Sequence, residues 1–288
     1  MPLSASILAM LCLLAAGSLD LVLKLYTSKP RSQGMLFLGI GLIWAMLQWF
    51  NMEITGDSFS FDPPTLLYGI SAAVFVTLSN ILLLECMAHL PISLASTIYR
   101  LNTIPLVVLA FFFLDEQITW IRLLGIGFGL LTVFILYRPK EDGNELSPTN
   151  SKYVGLIVLA CILRAFYGLF TKTGMSYGAD VNTMIFMGAL GWCGGGLLLA
   201  FFREKRILMT LEKLRFIGIG GLLVYAVVWL LTNALMLGDA SFILPLTNMG
   251  FVAAFLFSIL LRLESLNLRK IVAIVSAAIA IVLLTSSA

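Results

Sequence analysis

Ser96-Thr97-Ile98-Tyr99-Arg100-Leu101-Asn102-Thr103-Ile104-Pro105 lies inside an otherwise apolar run over residues 91–114. A run of that length crosses about 30 Å of hydrocarbon as an α-helix, which places Arg100, roughly ten residues from the nearer end, close to bilayer mid-depth. An arginine there costs at least about 2.5–3.5 kcal/mol on the insertion scale, so by default it faces a polar interior and serves a function. Ser96, Arg100 and Thr103 recur at helical spacing and share a face. Pro105 withdraws a backbone hydrogen bond and kinks the helix, which is tolerated where neighbours or water satisfy the freed carbonyl.

Working outward, comparable runs fill almost the whole chain: 3–26, 34–53, 65–88, 91–114, 118–137, 153–175, 179–202, 214–237, 241–261 and 268–285. The 288 residues are 60% hydrophobic and 11% charged, against about 25% charged in a soluble domain. The soluble classes are excluded. A net charge of +3 leaves no nucleic-acid footprint. Cys12, Cys86, Cys161 and Cys193 fall inside apolar runs without a paired-cysteine or Cys/His pattern, and so read as buried thiols. The first run lacks a positive n-region and is too long for a signal h-region, so it is expected to be a span.

The longest polar stretch, Arg138 to Lys152, divides the chain into two halves of five runs. Asp115-Glu116 to Gly125 and Leu263-Glu264 to Ala273 occupy matching places 148 residues apart, and Lys24 falls on Lys172 at the same offset. Five is odd, so a second copy inserts upside down relative to the first, as in many secondary transporters. The expected fold is an all-α integral membrane protein: ten transmembrane helices forming two inverted five-helix repeats. The first repeat spans 1–137, a cytoplasmic linker 138–152, and the second repeat 153–288. The loops after runs 1, 3, 5, 7 and 9 carry thirteen Lys and Arg residues, and the opposite face only Arg122 and Lys172. By the positive-inside rule the basic face is cytoplasmic and both termini lie outside.

Arg164 lies mid-depth on the sixth run with Tyr167 and Gly168 one turn on. Two converging guanidiniums make a fork for carboxylate or phosphate. The alternative is that each arginine pairs with a protein acid, Asp20 or Glu85, and ties helices together. Asp20 and Lys24 stand at i, i+4 in the favourable order for an ion pair. Glu85 and His89 repeat that spacing, and histidine titrates near neutrality unaided. Asp20, Glu85 and His89 are the candidates for coupling a proton or ion. Tyr225, Trp229 and Asn233 form a stripe on the eighth run, suited to a cavity wall or to helix packing. Asn248 is the repeat counterpart of Arg100. With Tyr99, Asn102 and Tyr167, these complete the candidate substrate-binding set around Arg100 and Arg164. The glycines at 125, 127 and 129 and at 191, 194, 195 and 196 have the small-residue spacing of closely packed helices and lie outside any strand-to-helix turn. No P-loop, HExxH or GxSxG pattern occurs, so neither ATP nor hydrolytic chemistry is indicated.

Pro105, then Leu114-Asp115-Glu116-Gln117-Ile118-Thr119 and Gly125, then Leu261-Arg262-Leu263-Glu264-Ser265-Leu266, with Lys24 and Lys172 closing the first helix of each half, carry a likeness. Over its whole length the chain resembles the drug/metabolite transporter superfamily, specifically the ten-helix EamA-type exporters with two EamA-like repeats. Ala253 departs from the proline that often matches Pro105, and Ala273 from the glycine matching Gly125. Related transporters of eukaryotic organelles place both termini in the cytosol, the reverse of the charge count here. The resemblance implies a central cavity lined by all helices but the fifth and tenth, and alternating access by rocking of the halves. The expected function is secondary transport, as an exporter, of a small anionic or zwitterionic metabolite such as an amino acid or organic acid. The alternative is a flippase for a phosphate-bearing lipid or lipid-linked sugar headgroup. An enzyme or scaffold is the third class, disfavoured by the missing catalytic motifs and by the buried charges. The expected partners are a small-molecule substrate and membrane lipid, without nucleic acid, ATP, cofactor or metal. The expected location is a bacterial inner (plasma) membrane.

Overall fold

A computed structural model describes residues 3–113, 119–137, 148–204, 210–237, 243 and 246–285. The helices are α1 (Leu3–Thr27), α2 (Gln33–Thr55), α3 (Pro63–His89), α4 (Ile92–Arg100), α5 (Thr103–Phe113), α6 (Trp120–Tyr137), α7 (Pro148–Ser176), α8 (Val181–Leu199), α9 (Leu211–Leu237), α10 (Gly250–Leu260) and α11 (Leu268–Thr285). Among the described residues there is no strand. Among the same described residues seven helices are long and apolar enough to cross a membrane, counting Ile92–Phe113 as one; Leu123–Thr132 and Leu246–Leu260 are shorter apolar helices.

Polar caps fix the turns. Ser32 accepts from Met35 N, Asp62 from Thr65 N and Asp180 from Thr183 N, satisfying first-turn N–H groups that have no intrahelical partner. Pro63 follows its cap, where its missing N–H costs nothing, and Gly56 ends α2 at φ 75°, a conformation glycine adopts freely. Two ends differ from expectation. Helix α7 begins at Pro148, inside the stretch read as linker, and α8 runs into a π-helical turn over Ala200–Glu204. Linker residues 138–147 and the Asp115-Glu116 motif lie outside the described residues.

The fourth span is broken. Pro105 has no N–H for the Leu101 carbonyl, which instead accepts from Ile104 N at 2.9 Å, and regular bonding resumes with Leu106 N to Asn102 O at 3.1 Å. The ninth apolar run is interrupted in the same register: Val252 N donates to Met249 O at 2.9 Å, and Met249 is 148 residues after Leu101. There the proline counterpart is Ala253, so the ring is not what breaks the second helix.

Helix α3 packs on α7 and α8, α1 on α9 and α10, α2 on α8 and α9, α4 on α7 and α10, α5 on α7, and α6 on α11. Exchanging the halves, with α4 and α5 standing together against α10, carries the α3–α7 contact onto α9–α1 and α3–α8 onto α9–α2. The α2–α8, α6–α11 and α4–α10 contacts map onto themselves. Glycine makes the closest crossings. A Cβ on Gly17 would sit 2.6 Å from the Ala253 Cβ, and one on Gly34 or Gly196 would strike the backbone of the facing helix. The expected glycine-mediated approach thus holds at Gly191, Gly195 and Gly196, whereas Gly194 faces open space. The four cysteines are free and buried.

Candidate functional site

Arg100 is the last residue of α4, where the negative end of the helix dipole favours a cation. Its Nη2 lies 3.4 Å from Asp20 Oδ2 on α1, and the same carboxylate oxygen accepts from Ser96 Oγ, one turn back on α4. Asp20 is 2% exposed. The Arg100 Nε is buried and has no partner among the described residues, as is the hydroxyl of Thr97. Asp20 therefore does not pair with Lys24. Lys24 Nζ donates to Met87 O and Leu90 O, both at 2.7 Å, at the end of α3. The local i, i+4 rule lost to tertiary partners: Ser96 and Arg100 for Asp20, and two main-chain carbonyls for Lys24.

Arg164 is held differently. Its guanidinium carbon stands 4.6 Å from the Tyr167 ring centroid and 6.0 Å from that of Tyr99, within cation–π range. The Tyr99 hydroxyl shares a hydrogen bond with Ser79 Oγ at 3.1 Å, which fixes its ring. No acid contacts Arg164 among the described residues. Tyr99 adjoins Arg100 in sequence and Arg164 in space, so one short stretch of α4 touches both cations.

The other predicted residues scatter. Asn102 turns its amide onto Tyr99 O at 2.9 Å and stabilises the helix break. Tyr225 is half-buried against the main core. Trp229 is 40% exposed, and Asn233 donates to Trp229 O within its own helix. Asn248 is half-buried beside the Met249 interruption. Glu85 is half-buried one turn before His89. His89 stacks on Tyr153 with ring centroids 3.9 Å apart and borders a cleft of about 470 Å³ with Lys24, Glu264 and Lys270, at the ends of the helices.

Sequence reasoning missed several contributors. Glu264 accepts from Ser93 N at 2.9 Å, from Ser93 Oγ at 2.5 Å and from Lys270 Nζ at 2.9 Å. It thus caps the N-terminus of α4 from the other half of the chain. Its place in the repeat motif was the available signal. Trp44 and Thr171 border a cavity of about 30 Å³ with Tyr167 and Ala73. Trp44 is 5% exposed, and its indole N–H has no acceptor among the described residues. A tryptophan within an apolar run gave no signal of this.

The arrangement can bind an anion: one guanidinium within reach of two tyrosine rings and with no acid in contact among the described residues, another with an unused N–H, and a helix break directly after it. No curated protein matches the chain. A solved crystal structure of a protein superposes on 98% of this chain and 97% of its own, with a TM-score of 0.71 at 13% identity, a likeness of fold. Residues 151–286 match the EamA-like transporter family. Over those residues, in a helical chain with helices long and apolar enough to cross a membrane, this protein is similar to the EamA-like transporter family.

Proposed function

We propose that this chain is a secondary active transporter, working as an exporter, for a small anionic or zwitterionic metabolite of the amino-acid or organic-acid class. It would act by alternating access in a bacterial inner membrane. The similarity of residues 151–286 to the EamA-like transporter family supports a membrane transporter. The observation that carries the finer reading is Arg164, held between Tyr99 and Tyr167 with no acid in contact among the described residues. A guanidinium left without a counter-ion at mid-depth is expensive unless an anionic ligand supplies it.

The architecture proposed is ten spans in two inverted repeats, 1–137 and 153–288, joined by a cytoplasmic linker. Its support is the half-exchange symmetry of the packing and the shared interruption at Leu101 and Met249. Contacts between the halves sit at both ends, as a gated carrier needs. At one end Asn182 donates to Asp57 at 2.9 Å, Asp180 N to Thr65 Oγ1 at 2.8 Å and Ser60 N to Thr183 Oγ1 at 3.1 Å. At the other, Glu264 takes Ser93. Rocking the halves breaks one set while keeping the other.

Proteoliposomes loaded with labelled amino and organic acids provide the test. Arg164→Gln is expected to lower exchange at least tenfold with little change in melting temperature. Undiminished exchange in that variant refutes the site. A flippase for an anionic lipid headgroup is the second reading, favoured by a bilayer-facing apolar groove beside the site.

A further inference from the structure

That groove runs between α3 and α8 and encloses about 780 Å³. Val74, Leu78, Leu190 and Leu198 line it, each about half exposed on the outer flank of the bundle. Its floor is made of small residues, and one polar side chain interrupts it. Thr77 is 5% exposed, and its hydroxyl has no hydrogen-bond partner among the described residues. On the far side of the floor lies the 30 Å³ cavity of Trp44, Tyr167 and Thr171. Ala73 lines both spaces. The wall between them is therefore about one residue thick, with Gly191 closing so tightly that a Cβ there would lie 2.8 Å from Thr77 Oγ1 and 3.1 Å from the Ala73 Cβ.

Two buried polar groups, Thr77 Oγ1 and Trp44 Nε1, thus flank the wall, and neither has a protein partner among the described residues. Buried polar groups are seldom left unpaired. A plain hydrocarbon in the groove would leave both that way. An acyl chain fits the apolar trough, and an anionic head on it offers acceptor oxygens to the hydroxyl and the indole.

We propose that the α3–α8 groove is a lateral entry for the acyl chain of an amphiphilic anion, whose head crosses the wall at Ala73, Gly188 and Gly191 to reach Tyr167 and Arg164. This rests on the cargo reading of Arg164 and takes up its second substrate class, the headgroup-bearing lipid, which it narrows to a single-chain carboxylate or phosphate.

The test uses the full chain in nanodiscs of neutral lipid, with cis-parinaric acid as the fluorescent probe. Saturable binding is expected, displaced by dodecanoate or lysophosphatidate at concentrations at least tenfold below those of butyrate. Whichever of the two competes better identifies the head as carboxylate or phosphate. Gly194→Phe fills the groove at a position where a Cβ meets nothing within 4 Å. It is expected to weaken the probe at least tenfold at unchanged melting temperature, and Arg164→Gln is expected to weaken it as well. Thr77→Val removes the hydroxyl and should weaken binding severalfold, which keeps the test available if Gly194→Phe does not fold. Equal competition by butyrate, or full binding in Gly194→Phe or Thr77→Val, overturns the groove and leaves solute transport standing. Binding lost in Gly194→Phe but intact in Arg164→Gln overturns the lateral path, since the tail then sits in the groove without a head in the core.

Discussion

The Asp20–Arg100 pair gives a measurable coupling. Unit charges 3.4 Å apart attract by about 5 kcal/mol at an effective dielectric of about 20, and desolvating both groups takes back most of it. Losing one partner alone leaves the other charge buried and uncompensated, at about 3–5 kcal/mol. Asp20→Asn removes the charge yet keeps an acceptor for Ser96 Oγ, so its effect isolates the electrostatic part. Arg100→Gln does the same from the other side. Each is expected to destabilise by about 3 kcal/mol. The double variant, two neutral amides at a site that no longer holds a charge, should lose far less than the sum, with a coupling of about 2–3 kcal/mol. Unfolding in mixed micelles, followed by circular dichroism for the four proteins of the cycle, reads it directly. If the two single effects add to within about 0.5 kcal/mol, the pair is not coupled and the account of Arg100 is wrong.

Two further outcomes follow from packing and capping. Gly17→Ala is expected to cost about 1–3 kcal/mol because the new Cβ meets Ala253 Cβ and the Gly250 and Ala254 backbone at 2.6–2.8 Å. Gly218→Ala, with nothing within 4 Å, serves as the control that loses no stability, both read as melting temperature. At the α3 cap, hydrogen bonds from the Ser60 hydroxyl and from the Thr65 backbone and side chain hold the Asp62 carboxyl below the usual carboxylate range. Its contribution is then complete at neutral pH and disappears as pH falls through that depressed value. Melting temperature measured from neutral pH down past about 4 should decline less steeply in Asp62→Asn than in the parent, and equal slopes would show that the cap is not titrating.

Most of the helices were legible because long uncharged runs have one way to satisfy their backbone in lipid, and the bounds of α1–α3, α6–α9 and α11 fall within about five residues of the hydropathy runs. Arg100 and Arg164 stood out for the same reason, being charges where none is cheap. The partners were not legible. Asp20 and Lys24 satisfy a local rule, but their contacts come from residues more than sixty positions away, and no periodicity encodes those. The second helix break also left no mark, since Ala253 looks like any other helix former. Thr77 and Trp44 are invisible for a further reason: what distinguishes them is a missing partner, a property of the packed bundle rather than of the string of residues.

The paired interruptions at Leu101 and Met249 have an electrical consequence. Where a helix stops inside a bundle, its aligned peptide dipoles end there and leave fractional charge on the main chain. Such polarity belongs to amide geometry. It stays the same from acid to alkali and survives any exchange of side chains that spares the trace. The middle of this protein is therefore permanently polarised from two sides, whatever protonation its ionisable residues take up during a working cycle.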